Sequence, residues 1–479
     1  MAREIDMIRI ESIVDVPRAN LCTSCGGCVG ICPSDALSMA PTPQGTLAPQ
    51  LDASKCTDCG LCLKVCPGHE MDIPRFTRLI FSGPPSCPEI GNFLQTYSGY
   101  ATDDRIRCQS QSGGLVSALL IYLLGSGRID GAVVTRWSRH DPLTPETHVA
   151  RTREEILEAV GSKYCPVPAA AAMKRILLEE GKFAFVGVPC QIHTVRKAAE
   201  LRPELKDRVI MHFGLHCLGV FNTRFFDFIL GKHGIAAGDV KRFRFRSKEW
   251  RGWPCDMRIE THSGRVVDIP GVKSRLVPRP YFTPWRCALC TDKLNELSDI
   301  SFGDCRIARV YGRKKLKDAA YGHNPGQSDI ICRTHTGKSI LEAALAADII
   351  RVQPTGWKEI LMTTKVSEKK LALLNLRIFS SIFRMSIPNY GVHYYPKSRT
   401  KRFLFLILHA PSMISAFHSF MFDRLAGRRW FRRLLQLCPF NVLHFMVVLR
   451  ERITNYHLFC RSELVAVYEP ASQDATPEP

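Results

Sequence analysis

No Gly-x-Gly-x-x-Gly follows a predicted strand anywhere in the 479 residues, so the usual dinucleotide-binding fingerprint is missing. Gly125-Ser-Gly127 comes after a helical stretch and reads as a stop signal. The start, Met-Ala-Arg-Glu-Ile-Asp-Met-Ile-Arg, carries acids and has no apolar run of signal-peptide length, which leads to the expectation of a cytoplasmic protein. Acidic residues are scarce: 45 Asp plus Glu face 65 Lys plus Arg, a net charge of +20. Nucleic acid is not the expected partner, because residues 358–461 hold 18 Lys plus Arg against 4 Asp plus Glu in a segment that is also strongly apolar. That combination fits an anionic membrane surface better than a phosphodiester backbone. Charge is absent altogether from 403–422 and 434–449. The first run has the length of a span, for which about 20 apolar residues suffice. Pro411, Ser412, Ser415 and His418 dilute it, however, and Arg428, Arg429, Arg432 and Arg433 stand between the runs. Two amphipathic helices lying on the inner membrane face are expected, the alternative being a basic helical subdomain packed on the core.

What is abundant is cysteine, 20 residues of it. The stretch Cys22-Thr-Ser-Cys25-Gly-Gly-Cys28-Val-Gly-Ile-Cys32-Pro33 is followed by Cys56-Thr-Asp-Cys59-Gly-Leu-Cys62-Leu-Lys-Val-Cys66-Pro67. Two copies of Cys-x2-Cys-x2-Cys-x3-Cys-Pro are the bacterial ferredoxin pattern, in which the fourth thiolate of each run reaches across to the other cluster. One 4Fe-4S cluster then takes Cys22, Cys25, Cys28 and Cys66, and the other takes Cys56, Cys59, Cys62 and Cys32. Gly26, Gly27 and Gly60 permit the close approach of backbone amides to cluster sulfur. Zinc usually needs only paired Cys-x2-Cys, and a disulfide framework belongs to an oxidising compartment.

The length calls for about three domains. With 45% hydrophobic and 23% charged residues the composition is globular. Pro84, Pro85 and Pro88 mark a linker. Gln109-Ser110-Gln111-Ser112-Gly113-Gly114 opens an apolar helix from Leu115 to Leu124, stopped by Gly125; the free amides of such a turn suit an anionic or hydrogen-bonding ligand edge, or are a plain cap. A strand is expected from Asp130 to Arg136, and Thr152-Arg-Glu-Glu155 is a capping box for a helix ending near Gly161 to Tyr164. Lys182 to Gly187 and Val209 to Gly214 are apolar strands, each with a cysteine just past its end, Cys190 and Cys217; a helix follows the first from near Ile192. In α/β sheets the carboxyl ends of parallel strands form the ligand edge, so both thiols should emerge together. Cys287-Ala-Leu-Cys290 offers a pair, and Ser298 to Asp304 reads as a strand and turn. These four thiols could hold a third cluster; equally, Cys190 and Cys217 could be small buried residues and Cys287 and Cys290 a zinc pair or nothing. Trp250, Arg251 and Trp253 could flank a flat ligand or simply pack.

Taken together, Gln111-Ser-Gly-Gly114, Gly161-Ser-Lys-Tyr164, Val186-Gly-Val-Pro-Cys-Gln191, Gly214-Leu-His-Cys217, Cys287-Ala-Leu-Cys290-Thr-Asp292 and Asp299-Ile-Ser-Phe-Gly-Asp304 resemble the beta subunit of coenzyme F420 hydrogenase and dehydrogenase. The wider family includes 7-hydroxymethyl chlorophyll a reductase and the ferredoxin-dependent 8-vinyl reductase. The resemblance covers about residues 95–350. It implies FAD bound without the usual fingerprint, and a third 4Fe-4S cluster on Cys190, Cys217, Cys287 and Cys290. It makes Ser112, Gly113, Gly114, Ser162, Lys163, Tyr164 and Gln191 candidates to line the flavin, and coenzyme F420 a candidate ligand. Lys163 and His193 are weak catalytic candidates.

The expected fold class is multidomain, mixing α+β and α/β. Residues 1–80 form the ferredoxin-like module with two 4Fe-4S clusters, 93–175 and 176–352 the two halves of an α/β flavin-binding core, 357–466 a helical basic extension and 467–479 a disordered tail. The expected function is an iron-sulfur flavoprotein oxidoreductase coupling one-electron transfer with a ferredoxin-like partner to two-electron chemistry at FAD. The alternatives are an electron-transfer subunit that oxidises reduced F420 for a partner complex, and a non-enzymatic ferredoxin-type carrier.

Overall fold

The computed structural model describes residues 8–306, 324–364, 366–383, 385–397, 421–422, 424–425, 427–439, 442–443 and 464–468. The apolar run at 403–422, apart from its last two residues, much of 434–449, Cys460 and the tail at 469–479 lie outside them.

The two cysteine runs fold alike because their sequences demand the same turns. In the first, Ser24 (φ +57°) and Gly26 (φ +80°) are left-handed; in the second, Asp58 (φ +52°) and Gly60 (φ +69°) occupy the matching positions. Each pair curls the chain and then opens a short helix, Gly27–Ile31 or Leu61–Lys64. Between them Leu37–Pro41 and Leu47–Leu51 form an antiparallel ladder. The module lies in backbone contact with the rest of the chain. A methyl on Gly27 would meet the Thr194 hydroxyl at 2.1 Å, and one on Gly30 the Ala170 carbonyl at 2.3 Å.

The core sheet has eight strands: β1 (Gln95–Ala101), β2 (Gly131–Trp137), β3 (Pro145–Ala150), β4 (Phe183–Gly187), β5 (Val209–Leu215), β6 (Ile300–Asp304), β7 (Ser328–Cys332) and β8 (Ile350–Pro354). Their spatial order is β8-β1-β7-β6-β5-β4-β2-β3. The central β2, β4, β5 and β6 run parallel, flanked by antiparallel neighbours on both sides. Alternation along β4 divides the core in two. Phe183 and Phe185 join the cysteine module and Trp285 on one face; Ala184 and Val186 join helix α1 (Leu115–Gly125) on the other. Helix α1 runs through Gly125 and ends at Ser126, with Gly127 (φ +67°) making the turn the sequence had placed two residues earlier. Helix α2 (Arg153–Glu158) is capped by Thr152 as expected but ends before Gly161. Helix α3 (Pro189–Leu201) starts at Pro189 and not near Ile192. Proline at the first helical position supplies the helical φ and needs no amide partner, and Gln191 reaches back to the Val188 amide at 3.0 Å. Cys190 therefore sits on the first turn of a helix.

A three-stranded antiparallel sheet, Val240–Ser247, Asp256–Thr261 and Val266–Ile269, packs a phenylalanine cluster against the helix Arg224–Lys232. Phe245 is fully buried there, 4.9 Å from Phe243 and 5.3 Å from Tyr164 between ring centres.

The basic extension is not purely helical. Helices Trp357–Thr364 and Val366–Phe383 pack into the core, but Val392–Pro396 is a strand paired with Leu464–Tyr468, so residues 467 and 468, expected in a disordered tail, belong to a ladder. The short apolar run Leu464-Val-Ala-Val-Tyr468, rich in β-branched and aromatic residues, accounts for it. Asn389 also exchanges backbone bonds with the module, at Met71 (2.7 Å) and His69 (2.7 Å). Helix α4 (Arg429–Leu437) buries Phe431 and Leu435 against the phenylalanine cluster. No helix among the described residues is long and apolar enough to cross a membrane.

Phe245→Ala is expected to cost about 3–5 kcal/mol, as for other large buried aromatics. A thermal midpoint close to the parent's would show that this cluster does not hold the three-stranded sheet in place.

Candidate cluster chain and ligand cavity

Cys22, Cys25, Cys28 and Cys66 ring a hollow of about 20 Å³. Amides point at sulfur: Ser24 N–H donates to Cys22 Sγ at 3.4 Å and Gly68 N–H to Cys66 Sγ at 3.3 Å. In the second run the equivalent bond joins Asp58 N–H and Cys56 Sγ at 3.4 Å. Burial, with the crowding of neighbouring thiols adding to it, pushes the Cys22 thiol up to about 12 and Cys66 up to about 11. Thiolates packed in this way ionise together only around a cationic centre, which is what iron supplies. Cys62 responds electrostatically to Cys59 and Cys32, the crossed partner its spacing implies. Among the described residues no three His, Cys, Asp or Glu side chains converge on a single-ion point; the thiols surround a space instead. Cys56 and Cys59 are exposed, whereas Cys25, Cys28 and Cys66 are buried.

The parallel strands bring the scattered cysteines together. Cys190 follows β4, Cys217 follows β5, and Cys287 lies in the short helix Trp285–Ala288 with Cys290 just beyond it. Burial holds Cys190 well above the usual thiol range, with Cys25, Cys217, Cys287 and Cys290 all adding to the effect. The set thus closes on itself and also adjoins the module. Gly219 N–H donates to Cys217 Sγ at 3.3 Å, repeating the amide-to-sulfur pattern.

Beside these thiols opens a cavity of about 870 Å³ at the carboxyl ends of β2, β4, β5 and β6, within the roughly 300–1,000 Å³ typical of ligand sites. Ser112, Gly114, Ser162, Lys163, Tyr164, Gln191 and His193 line it. Gly113 does not. Its α-carbon is pressed between β1 and β7, where a methyl would meet the Gly99 carbonyl at 2.4 Å, so the motif needs this glycine for packing. Gln191 spends its amide on the Val188 N–H and on the Val167 carbonyl at 2.9 Å. The Lys163 ammonium donates to the carbonyls of Ala159 (2.7 Å), Val160 (3.3 Å) and Gly161 (2.9 Å) just past the end of α2, while burial pulls its pKa down to about 7. His193 bonds the Asp292 carboxylate at 2.8 Å, and that carboxylate also accepts the Glu296 amide at 3.0 Å, which makes His193 a fastening for the cysteine loop.

One wall residue, Arg246, was not foreseen. Arg246 bonds Asp304 at 2.8 and 3.0 Å, Tyr164 Oη at 3.3 Å and the Gln111 carbonyl at 3.2 Å. Arg246 Nε and Gln111 Oε1 are buried without partners, leaving a donor and an acceptor at the wall. Arg251 lines the cavity and pairs with Asp256 at 2.6 Å, while Trp253 is buried. His216 lies across Gly303, where a methyl would meet its Nδ1 at 2.0 Å. Gly214-Leu-His-Cys217 and the Ser-Phe-Gly-Asp motif are the sequence signals that could have pointed to His216.

Residues 21–69 match a 4Fe-4S dicluster domain. Residues 96–174 match the N-terminal domain, and 180–357 the C-terminal domain, of the coenzyme F420 hydrogenase/dehydrogenase beta subunit. The chain belongs to this family of iron-sulfur oxidoreductase subunits. It is similar to the coenzyme F420 hydrogenase subunit beta of Methanosarcina barkeri, 29% identical over 56% of this chain and 84% of that protein. The coenzyme F420-dependent sulfite reductase of Methanocaldococcus jannaschii is 26% identical over 70% of this chain and 47% of its own length. A chain of the solved F420-reducing [NiFe] hydrogenase complex from Methanosarcina barkeri is 26% identical, with a TM-score of 0.46 over 63% of this chain and 98% of that chain.

The Arg246 and Asp304 side chains are largely buried, at 6% and 17% exposure. Arg246→Met, which strands the carboxylate, is expected to cost about 3–5 kcal/mol, and adding Asp304→Leu should recover part of that loss. A double variant less stable than the single one by denaturant titration would contradict the pairing.

Proposed function

We propose that the protein is an iron-sulfur flavoprotein oxidoreductase. It exchanges single electrons with a ferredoxin-like partner at the exposed loop bearing Cys56 and Cys59 and performs two-electron chemistry on an organic substrate in the large cavity. One arrangement supports this above all. The exposed cysteine set leads to a buried set, the buried set adjoins Cys190 through Cys25, and the Cys190 set borders the cavity. FAD bound there would convert single electrons to pairs.

The chain's own residues suit that ligand. Ser112, Ser162 and Tyr164 present hydroxyl-bearing side chains at the wall, Gln111 Oε1 and Arg246 Nε are unspent, and the Lys163 ammonium stands at the lining. His193 and Gln191 line the cavity but bond Asp292, Val188 and Val167, which suits a role in holding the loops in register. The names of the hydrogenase relatives favour a second reading, a subunit that oxidises reduced F420 for a partner complex. A plain ferredoxin-type carrier has no use for a cavity of this size.

The extension bears on location. The outward side of α4 shows Trp430, Leu434 and Leu437 at 60%, 56% and 82% exposure, with Arg428, Arg429 and Arg433 among them. We place this face against an anionic membrane surface. Because helices of the extension belong to the core, point changes test it better than truncation. Trp430→Ser/Leu434→Ser/Leu437→Ser should lower cosedimentation with phosphatidylglycerol vesicles at least threefold, and undiminished binding would reject the placement.

Anaerobically purified protein should release a yellow flavin on boiling, and reduced ferredoxin should bleach its visible spectrum. Bleaching by reduced F420 alone would favour the second reading, and absence of flavin would reject both. Cys190→Ser should remove the iron of about one four-iron cluster while the ferredoxin-type signals stay; unchanged iron would reject the third cluster.

A further inference from the structure

The three cysteine sets sit in very different electrostatic surroundings. At the outermost set Lys174 acts on Cys32 and is paired with Asp35, and Lys55 beside Cys56 is paired with Asp52. Asp58 stands on the same loop, and Cys56 and Cys59 face solvent. At the buried module set Lys197 reaches the Cys66 carbonyl at 3.2 Å and Arg286 acts on Cys22. At the cavity set, cations gather. Arg286 acts on Cys190 and Cys290, Lys369 on Cys217 and Cys287, and Arg279 on the same two. Their positions are fixed by carbonyls: Lys369 Nζ donates to Cys287 O at 3.2 Å, Arg279 to Leu218 O at 3.1 Å, and Arg286 to Gly68 O at 2.8 Å and Pro67 O at 2.9 Å. Among the described residues none of the three has a carboxylate at ion-pair distance.

We propose that Arg279, Arg286 and Lys369 make the Cys190–Cys217–Cys287–Cys290 site the most oxidising of the three, so that electrons run inward from the exposed loop and the chain reduces its substrate. This rests on the cluster assignment above and assigns a direction to the electron flow it left open.

Reducing a four-iron cluster adds a negative charge to an already anionic group. Burial alone disfavours that, and would make the deepest site the hardest to reduce. Cations without a carboxylate partner beside those buried thiols reverse the order, because charge interactions at a buried site are screened less than those wholly at the surface. Arg286, buried and held by the carbonyls of Gly68 and Pro67 and by Tyr390 Oη, also needs a negative partner, and four thiolates with their cluster supply it. Each transfer oxidises one ferredoxin-like donor by one electron. Two transfers, with two protons from solvent, leave the substrate reduced by an electron pair. The opposite flow, from cavity to surface, would run uphill through the same sites.

The test is an anaerobic redox titration of full-length holoprotein followed by electron paramagnetic resonance, with the cavity site identified as the signal that Cys190→Ser removes. That signal should titrate at the highest potential of the three. In Lys369→Gln its reduced-to-oxidised ratio at a fixed potential should fall at least threefold with the other two signals unmoved, while Lys369→Arg keeps the parent value. A cavity signal at or below the potentials of the other two overturns the proposal using the parent protein alone. So does Lys369→Gln leaving the ratio unchanged. If Cys190→Ser removes no signal, the cluster assignment itself fails, and this inference with it.

Discussion

The Arg286 guanidinium is where the two halves of the molecule meet. It donates to the carbonyls of Pro67 and Gly68, directly after the last cysteine of the module, and to Tyr390 Oη at 3.0 Å in the extension. Its own backbone continues into Cys287. Three segments far apart in sequence are thus pinned at one buried cation, and the module set and the cavity set are held at a fixed separation. With clusters in both sets, as proposed, transfer between them would depend on this separation, and the packing contact would also be a functional constraint. Thr194, bonding the Val65 carbonyl at 2.9 Å, and the glycines that let the module lie against α3 do the same work on either side.

Around that joint the architecture follows from strand direction. Parallel neighbours put the ends of β4, β5 and β6 on one edge, which gathers Cys190, Cys217 and the loop carrying Cys287 and Cys290, and leaves the cavity beside them. The antiparallel outer strands widen the sheet without adding to that edge. The phenylalanine-rich three-stranded sheet then closes the cavity from the side, tied to β6 by the Arg246–Asp304 pair.

Much of this was legible in the sequence. The spacing of the eight module cysteines, the buried runs of β4 and β5, and the capping Thr152 declared themselves through local rules. What stayed hidden depended on partners distant in the chain. Arg246 lies in Lys241-Arg-Phe-Arg-Phe-Arg246, where alternation puts it with exposed Arg242 and half-buried Arg244; its burial is explained by partners distant in the chain, Asp304 from another sheet together with Tyr164 and Gln111. Gly113 looked like part of a ligand turn, yet its role is to let two strands approach. In the basic extension, composition pointed to helices, but Val392–Pro396 needed a partner some seventy residues on before it could be a strand.

The most direct measurement is an anomalous-difference map at the iron edge from crystals grown without oxygen. The account predicts three compact iron sites: one within Cys56, Cys59, Cys62 and Cys32, one within Cys22, Cys25, Cys28 and Cys66, and one within Cys190, Cys217, Cys287 and Cys290 at the cavity wall. Iron at the first two only, or zinc between Cys287 and Cys290, would contradict it.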